Sequence, residues 1–325
     1  MKLPRRQFLH LAAGAAALPA MSRIALAETY PTRPVRLIVG FAAGGGYDIV
    51  ARLIGQWLSE RLGQPFLIEN RPGAGTNIAT EAVVRAPSDG YTLLLVGSTN
   101  AINATFYQKL NFNFIRDIAP VSSITRQPQA MLANPLFPAK TIPEFIDYAK
   151  ANPGKVNMSS PGIGTISHLA GELFKMMAGV NLVHVPFGGN GPALTALLGG
   201  QVEVSVASLP SSIEYIRTDK LRGLAVTTAM RAEALPDVPS VGEFVTGYEV
   251  SAWYGVGAPK GTPNELIDKL NNEINASLAD PRLKARIADF GGTVFALSPA
   301  DFGNFITDET EKWSKVIQAL NIKAG

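Results

Sequence analysis

Without a cysteine among its 325 residues, the chain can hold no disulfide, no zinc–thiolate site and no cysteine nucleophile. Hydrophobic residues at 46% suffice for one large or two medium-sized domains, and charged residues at only 17% exclude a long charge-rich tail. The net charge of +3 does not point to nucleic acid: Lys2, Arg5, Arg6 and Arg23 supply four of the 29 basic residues, so residues 28–325 hold 25 against 26 acidic ones. No Lys/Arg cluster with interleaved aromatics follows.

Residues 1–27 read as an export signal peptide of twin-arginine type. Pro4-Arg5-Arg6-Gln7-Phe8-Leu9 is the basic region, Leu11–Met21 a short alanine-rich apolar run, and Ala25-Leu26-Ala27 an A-x-A cleavage site. The apolar run is too short for a stable membrane span, and no later segment reaches about 18 apolar residues. A lipid anchor would need a cysteine at the cleavage point. The expected product is a soluble, monomeric periplasmic protein starting at Glu28.

The mature chain opens on Val35–Arg52, VRLIVGFAAGGGYDIVAR. An apolar strand (Val35, Leu37, Ile38, Val39) meets a glycine turn (Gly44, Gly45, Gly46), and a helix begins near Asp48. Ile49, Val50, Leu53, Ile54, Trp57, Leu58 and Leu62 recur at helical spacing, and Gly63 ends the run. Such a helix start carries free backbone N–H groups and the positive end of the helix dipole, which together can hold an anion; the plainer reading is a tight turn. The device recurs. Pro65–Glu69 is a strand, Asn70–Asn77 a turn, and Ile78, Ala82 and Val83 mark a helix; Thr92–Val96 is a buried strand from which Gly97-Ser98-Thr99-Asn100 opens another helix. This alternation predicts an α/β unit with a mainly parallel sheet, whose ligands sit at the carboxyl ends of the strands.

Ile118–Ala133 reads as extended, interrupted at Arg126-Gln127-Pro128. A second series follows. Thr141-Ile142-Pro143-Glu144 is a capping box. Val156–Ser159 leads through the loop Ser160–Thr165 into a helix marked by Ile166, Leu169, Ala170, Leu173, Phe174 and Met177. Leu182–Val185 leads through Phe187–Pro192 into a helix with Leu194, Leu197 and Leu198, and Val202–Ala207 leads through Ser208–Ser212 into a helix to Arg217. Leu224–Thr227 is a further strand. After the rigid connector Leu235–Pro239 come the extended Val250–Ala258, amphipathic helices over Pro263–Leu278, Pro281–Phe290 and Pro299–Leu320, and a strand over Thr293–Leu297. This tail is expected to close back on the first block, making two lobes with a cleft between facing glycine loops.

The ordered segments FAAGGGYDIVAR, NRPGAGTNIA, SSPGIGTISHLAGELF, HVPFGGNGPALTALLGGQVEV, LPDVPSVGE and APKGTPNELIDKLN resemble the periplasmic solute-binding receptors of tripartite tricarboxylate transporters, the Bug family abundant in Bordetella. The resemblance runs from about Pro31 to the end. It implies a type II periplasmic-binding-protein fold of two α/β lobes around a hinged cleft: lobe 1 from 28–126 and 228–325, lobe 2 from 127–227. It also implies a small carboxylate ligand, delivery to membrane permease subunits, and no cofactor, metal or nucleic acid. Backbone N–H groups, hydroxyls and waters of the facing loops would hold the carboxylate. Carried over by position, the first lobe supplies the loop Phe41–Asp48 (Phe41, Ala43, Gly44, Gly45, Tyr47, Asp48), then Gly75, Thr76 and Asn77, and Ser98, Thr99 and Asn100. The second supplies Ser160 to His168 (Ser160, Gly164, Thr165, His168), Phe187–Asn190 (Phe187, Gly188, Gly189) and Ser208.

Departures from the family pattern bear on the ligand. Where V-P-Y-K-G is common, this chain has Val185-Pro186-Phe187-Gly188-Gly189; Thr76 stands where a glycine is frequent, and Ala42-Ala43 where a proline is. Fewer cations and more aromatic edge (Phe41, Tyr47, Phe187) point away from a tricarboxylate and toward a mono- or dicarboxylate with an apolar or aromatic body.

Single residues divide between ligand contact and structure. Asp48 can meet the ligand or cap its helix. His168 can donate to a carboxylate or hold the neighbouring loop, while His184, inside a strand, and Trp57, on an apolar helix stripe, read as packing. Arg52 is spaced to pair with Asp48. No full G-x-G-x-x-G, G-K-[S/T] loop or G-x-S-x-G elbow occurs, so no enzyme is expected. The alternative reading is a periplasmic sensor that presents its ligand to a membrane signalling partner. The leader and the lack of a helix-turn-helix exclude a DNA-binding regulator.

Overall fold

The computed structural model describes residues 30–320 and 322, so the signal peptide lies outside the described residues. Two sheets share one strand. β1 (Val35–Val39) pairs in parallel with β2 (Phe66–Asn70) and β3 (Thr92–Gly97). β9 (Ser251–Pro259) runs antiparallel to β3, and β4 (Ile118–Ala133) antiparallel to β9. Beyond Pro128, β4 leaves β9 and pairs with β7 (Val204–Ser208) and β8 (Arg222–Val226). The second sheet continues in parallel from β7 to β5 (Asn157–Ser160) and β6 (Val183–Pro186).

The parallel sheet expected on sequence is thus the centre of each lobe, with antiparallel strands stitching the lobes together. Arg126-Gln127-Pro128, read as an interruption, is where β4 changes partners: Gln127 and Pro128 pair with Ala252 and Ser251, and Gln129 already pairs with Ser208. The strand expected over Thr293–Leu297 is only β10 (Thr293–Val294), a short edge on β4.

The helices form where sequence punctuation dictates. α1 (Gly46–Leu62) ends on Gly63 at φ 73°, a left-handed conformation that glycine adopts without a Cβ penalty. α2 (Asn77–Val84) follows a tight turn at Ala74–Thr76, α3 (Ser98–Phe106) grows directly from β3, and α4 (Phe114–Asp117) is one turn. α5 (Ile142–Ala151) is capped by Thr141, and α6 (Ile166–Ala178) by Thr165. α7 (Asn190–Leu198) and α8 (Leu209–Arg217) follow β6 and β7. α9 (Asn264–Ala279), α10 (Pro281–Asp289) and α11 (Pro299–Leu320) form the tail, which packs on the first sheet through Asn271, whose amide donates to the Val121 carbonyl at 2.8 Å, and through buried Phe302 against Trp253.

Burial follows from the sheets being covered on both faces. Leu93, Leu94, Leu95 and Val96 of β3 are all at most 1% exposed. Trp57 is only half-buried, on the rim of this core. Residues 228–250 run along the second sheet: Tyr248 Oη donates to the Ala170 carbonyl at 2.9 Å, and Val226 bridges to Ser240. Among the described residues no helix is long and apolar enough to cross a membrane.

Candidate functional site

A cavity of about 300 Å³ lies between the carboxyl ends of the two sheets. Phe41, Gly45, Gly46, Tyr47 and Thr99 line it from the first lobe, and Pro161, Thr165, Ile166, Ser167, Asn190 and Ser208 from the second. Gln129 of β4, the strand shared by the two sheets, and Tyr254 of β9 complete its lining. The lining includes residues at the starts of α1, α3, α6 and α7 and Ser208, which caps α8. Among the described lining residues none is charged.

The first-lobe wall begins at the glycine turn. Gly44 has φ +82°, and Gly45 caps α1 with no side-chain acceptor for the first N–H groups. Asp48 reaches back and accepts from Gly44 N at 2.9 Å, from Arg52 Nε at 2.9 Å and from Asn70 Nδ2 at 3.0 Å. Asn70 also donates to the Phe41 carbonyl. Burial alone would raise the Asp48 pKa, but hydrogen bonds from Arg52, Gly44 and Asn70, with the Arg52 charge, hold it below the usual carboxylate value. Asp48 therefore ties the loop down, pairs with Arg52 and does not border the cavity. Phe41, Tyr47 and Tyr254 stand ring to ring at 4.8 Å, an aromatic wall. Tyr47 Oη accepts from Thr99 N at 3.3 Å, and burial drives the pKa of both tyrosines well up, so both stay neutral donors.

Neighbouring predicted residues support this wall from behind. Ser98 Oγ accepts from Trp253 N at 2.9 Å, and Asn100 donates to Thr76 Oγ1 at 3.1 Å and Thr80 Oγ1 at 3.0 Å. Asn103 donates to the Gly75 carbonyl and to Asn77 Oδ1. Ser98, Gly75, Thr76 and Asn77 do not line the cavity, nor do Ala43 and Gly44.

In the second lobe, Thr165 Oγ1 accepts from His168 N at 3.2 Å and donates to the Gly162 carbonyl at 2.7 Å. His168 faces away from the cavity: its Nδ1 accepts from Gly164 N at 3.2 Å, and its ring stacks on His184 with centroids 4.0 Å apart. His184 Nε2 meets Ser160 Oγ at 2.6 Å. Burial, helped by the nearby Lys175 charge, lowers the His168 pKa to about 4; burial and the His168 charge lower that of His184 to about 3. Both rings are neutral loop supports at pH 7. Phe187 packs on the second lobe's core, and Phe187, Gly188, Gly189, Ser160, Gly164 and His168 do not border the cavity.

Of the predicted residues, then, the structure brings Phe41, Gly45, Tyr47, Thr99, Thr165 and Ser208 to one space. Gln129 and Tyr254 escaped the sequence reading. The only signals were a polar residue inside an apolar strand and an aromatic in an extended tail segment. Ser167 Oγ donates to Gln129 Oε1 at 2.6 Å, which leaves Gln129 Nε2 buried with no partner among the described residues; Thr99 Oγ1 is likewise buried and unpartnered. Buried polar groups nearly always have partners, and these two lie on residues that line the cavity.

The cleft is closed. A Cβ placed on Gly189 would lie 3.3 Å from Ala42 Cβ, one on Gly45 3.4 Å from Asn190 Nδ2, and one on Gly75 3.4 Å from the Ile163 carbonyl oxygen. Loops of opposite lobes therefore approach so closely that a methyl group added at these glycines would meet the facing lobe.

Comparison with known proteins agrees with this architecture. The model of the tripartite tricarboxylate transporter family receptor matches residues 50–322. The protein BugT of Bordetella pertussis is 35% identical over 302 residues, 91% of this chain and 92% of its own. The structure of R. palustris Rpa4515 with adipate superposes with a TM-score of 0.88 at 35% identity, covering 90% of this chain and 99% of that one. MatC from Rhodopseudomonas palustris with bound malate gives a TM-score of 0.84 at 32% identity, covering 89% of this chain and 100% of that one. The family is one of transporter receptors, not enzymes. The chain, with its two-lobed periplasmic-binding-protein fold, belongs to the tripartite tricarboxylate transporter receptor family.

Proposed function

We propose that the chain is a periplasmic receptor that encloses a small mono- or dicarboxylate between its lobes and hands it to the permease subunits of a tripartite transporter. The observation that carries this reading is five helix starts turned on one cavity whose described lining holds no charged side chain. Each helix start contributes a partial positive charge of about +0.5 and free N–H donors. An anion gains from all of them, whereas a cation would have no counter-charge among the described lining residues. Adipate and malate in related receptors support the same class.

We place the hinge where the chain crosses between sheets, at 127–129 and 250–251, so that residues 228–250 travel with the second lobe. Gln129 N donates there to Thr227 Oγ1, which in turn donates to the Val250 carbonyl. In this reading the ligand bridges both lobes and selects the closed form, which the permease then recognises.

A thermal-shift screen of residues 28–325, stripped of ligand by unfolding and refolding, tests it. The panel holds aliphatic and aromatic mono- and dicarboxylates, citrate, amino acids and neutral amides. An acid present at 100 times its Kd adds about 2.7 kcal/mol of stability. Shifts confined to short acids are expected; shifts only with neutral or cationic compounds would refute the assignment.

A further inference from the structure

We infer that Gln129 reads a second acceptor group on the ligand, making the receptor selective for dicarboxylates over monocarboxylates, with Ser167 as the residue that sets the amide's orientation. This rests on the carboxylate reading above. A glutamine amide has one acceptor end and one donor end. The Ser167 hydroxyl occupies the acceptor end at 2.6 Å, so the donor end is the one left buried and unpartnered beside the cavity. Ser167 is itself 1% exposed, on the first turn of α6, and cannot be displaced by water without opening the lobe. Thr99 Oγ1, the other buried atom without a partner on a described lining residue, belongs to the opposite lobe. One donor is therefore unsatisfied on each side of the cleft. A ligand with an acceptor at each end satisfies both; a monocarboxylate leaves one buried donor bare.

Position strengthens the assignment. Gln129 is the first residue of β4 to pair with the second sheet, and its backbone binds Thr227 at the other crossing. A carboxylate held by this amide is held at the hinge itself, so the second acid group and lobe closure are linked.

Calorimetric titration of a four- to six-carbon α,ω-dicarboxylate and the monocarboxylate of equal length decides the matter. A hydrogen bond to a charged acceptor is expected to favour the diacid roughly tenfold to hundredfold in wild type. Gln129→Met, similar in size, should bring the diacid's affinity down toward that of the monoacid, so that their ratio approaches one. Gln129→Glu should abolish diacid binding by repulsion. Ser167→Ala frees the amide to turn and should narrow the ratio of diacid to monoacid affinity. Retention of the diacid by Gln129→Glu, or an unchanged ratio in Gln129→Met and Ser167→Ala, overturns this inference alone. A wild type that binds neither acid overturns the functional reading and this inference with it.

Discussion

Replacing Gly46 by alanine adds one methyl group where the lobes meet. Built on the observed backbone, that Cβ lies 2.6 Å from Tyr254 Oη, 2.8 Å from Ser208 Oγ and 3.2 Å from Ser208 Cβ. Contacts that close force neighbours to shift, and overpacking of this kind costs about 1–3 kcal/mol. The Tyr254 contact lies within the first lobe and burdens open and closed forms alike. The Ser208 contact joins the lobes and is relieved when the cleft opens. Alanine is otherwise the better helix residue by up to roughly 1 kcal/mol, which offsets the burden in the open form. The penalty therefore falls mainly on the closed state, and Gly46→Ala should weaken ligand binding roughly tenfold to hundredfold. The ligand-free melting temperature should move little. Titration calorimetry with the best acid from the screen, alongside scattering profiles with and without it, reads both quantities. Unchanged affinity would show that the contact between α1 and Ser208 does not limit closure. A loss of ligand-free stability large enough to explain the whole effect would contradict the division between the two states.

Two further predictions concern the supports of the site. Asp48→Ala leaves Gly44 N and the Arg52 guanidinium without their acceptor and should destabilise the fold by about 1–3 kcal/mol in urea titrations at pH 7. Because the folded pKa of Asp48 is depressed, its stabilisation is present above the ordinary value of 3.8 and fades as pH falls through the folded value, so the gap to wild type should close in acid; a constant gap would be inconsistent with the ionised pairing. The buried histidines act in the other window: the unfolded rings take up protons below about 6.5, whereas the folded ones resist down to about 4 for His168 and about 3 for His184. Stability should therefore fall as pH drops from 6.5 toward 4, by at most about 1.4 kcal/mol per pH unit for each ring, and His184→Gln should flatten that slope; an unaltered slope would show that the ring is not held neutral.

Much of the scaffold was legible because it is local. The stripe from Ile49 to Leu62, Gly63 at its end and the Thr141 cap follow from spacing and backbone chemistry, and the structure forms α1 and α5 there. The cavity was legible only in part. Phe41, Gly45, Tyr47, Thr99, Thr165 and Ser208 lie at strand-to-helix turns, which sequence patterns mark, and they meet in one space. Which way His168 turns is decided by stacking on His184, from another element, and no pattern encodes that. Gln129 and Tyr254 were missed because their importance arises from strand crossings: Gln129 matters through Ser208 and Thr227, 79 and 98 positions away, and Tyr254 through Tyr47. Pro128 shows the same limit. A proline that looks like a break in isolation is, in the fold, the point where one strand passes from one sheet to the other.

The central claim is that neutral donors from both lobes hold a carboxylate in the cavity between them. A crystal structure of residues 28–325 grown with the acid that gives the largest thermal shift tests it most directly. The expected result is a closed cleft, one carboxylate against the starts of α1 and α3 beside Thr99, and the ligand's far end against Gln129 and Ser208. An acid bound outside the cavity, or one whose charge is met by a lysine or arginine, would contradict it.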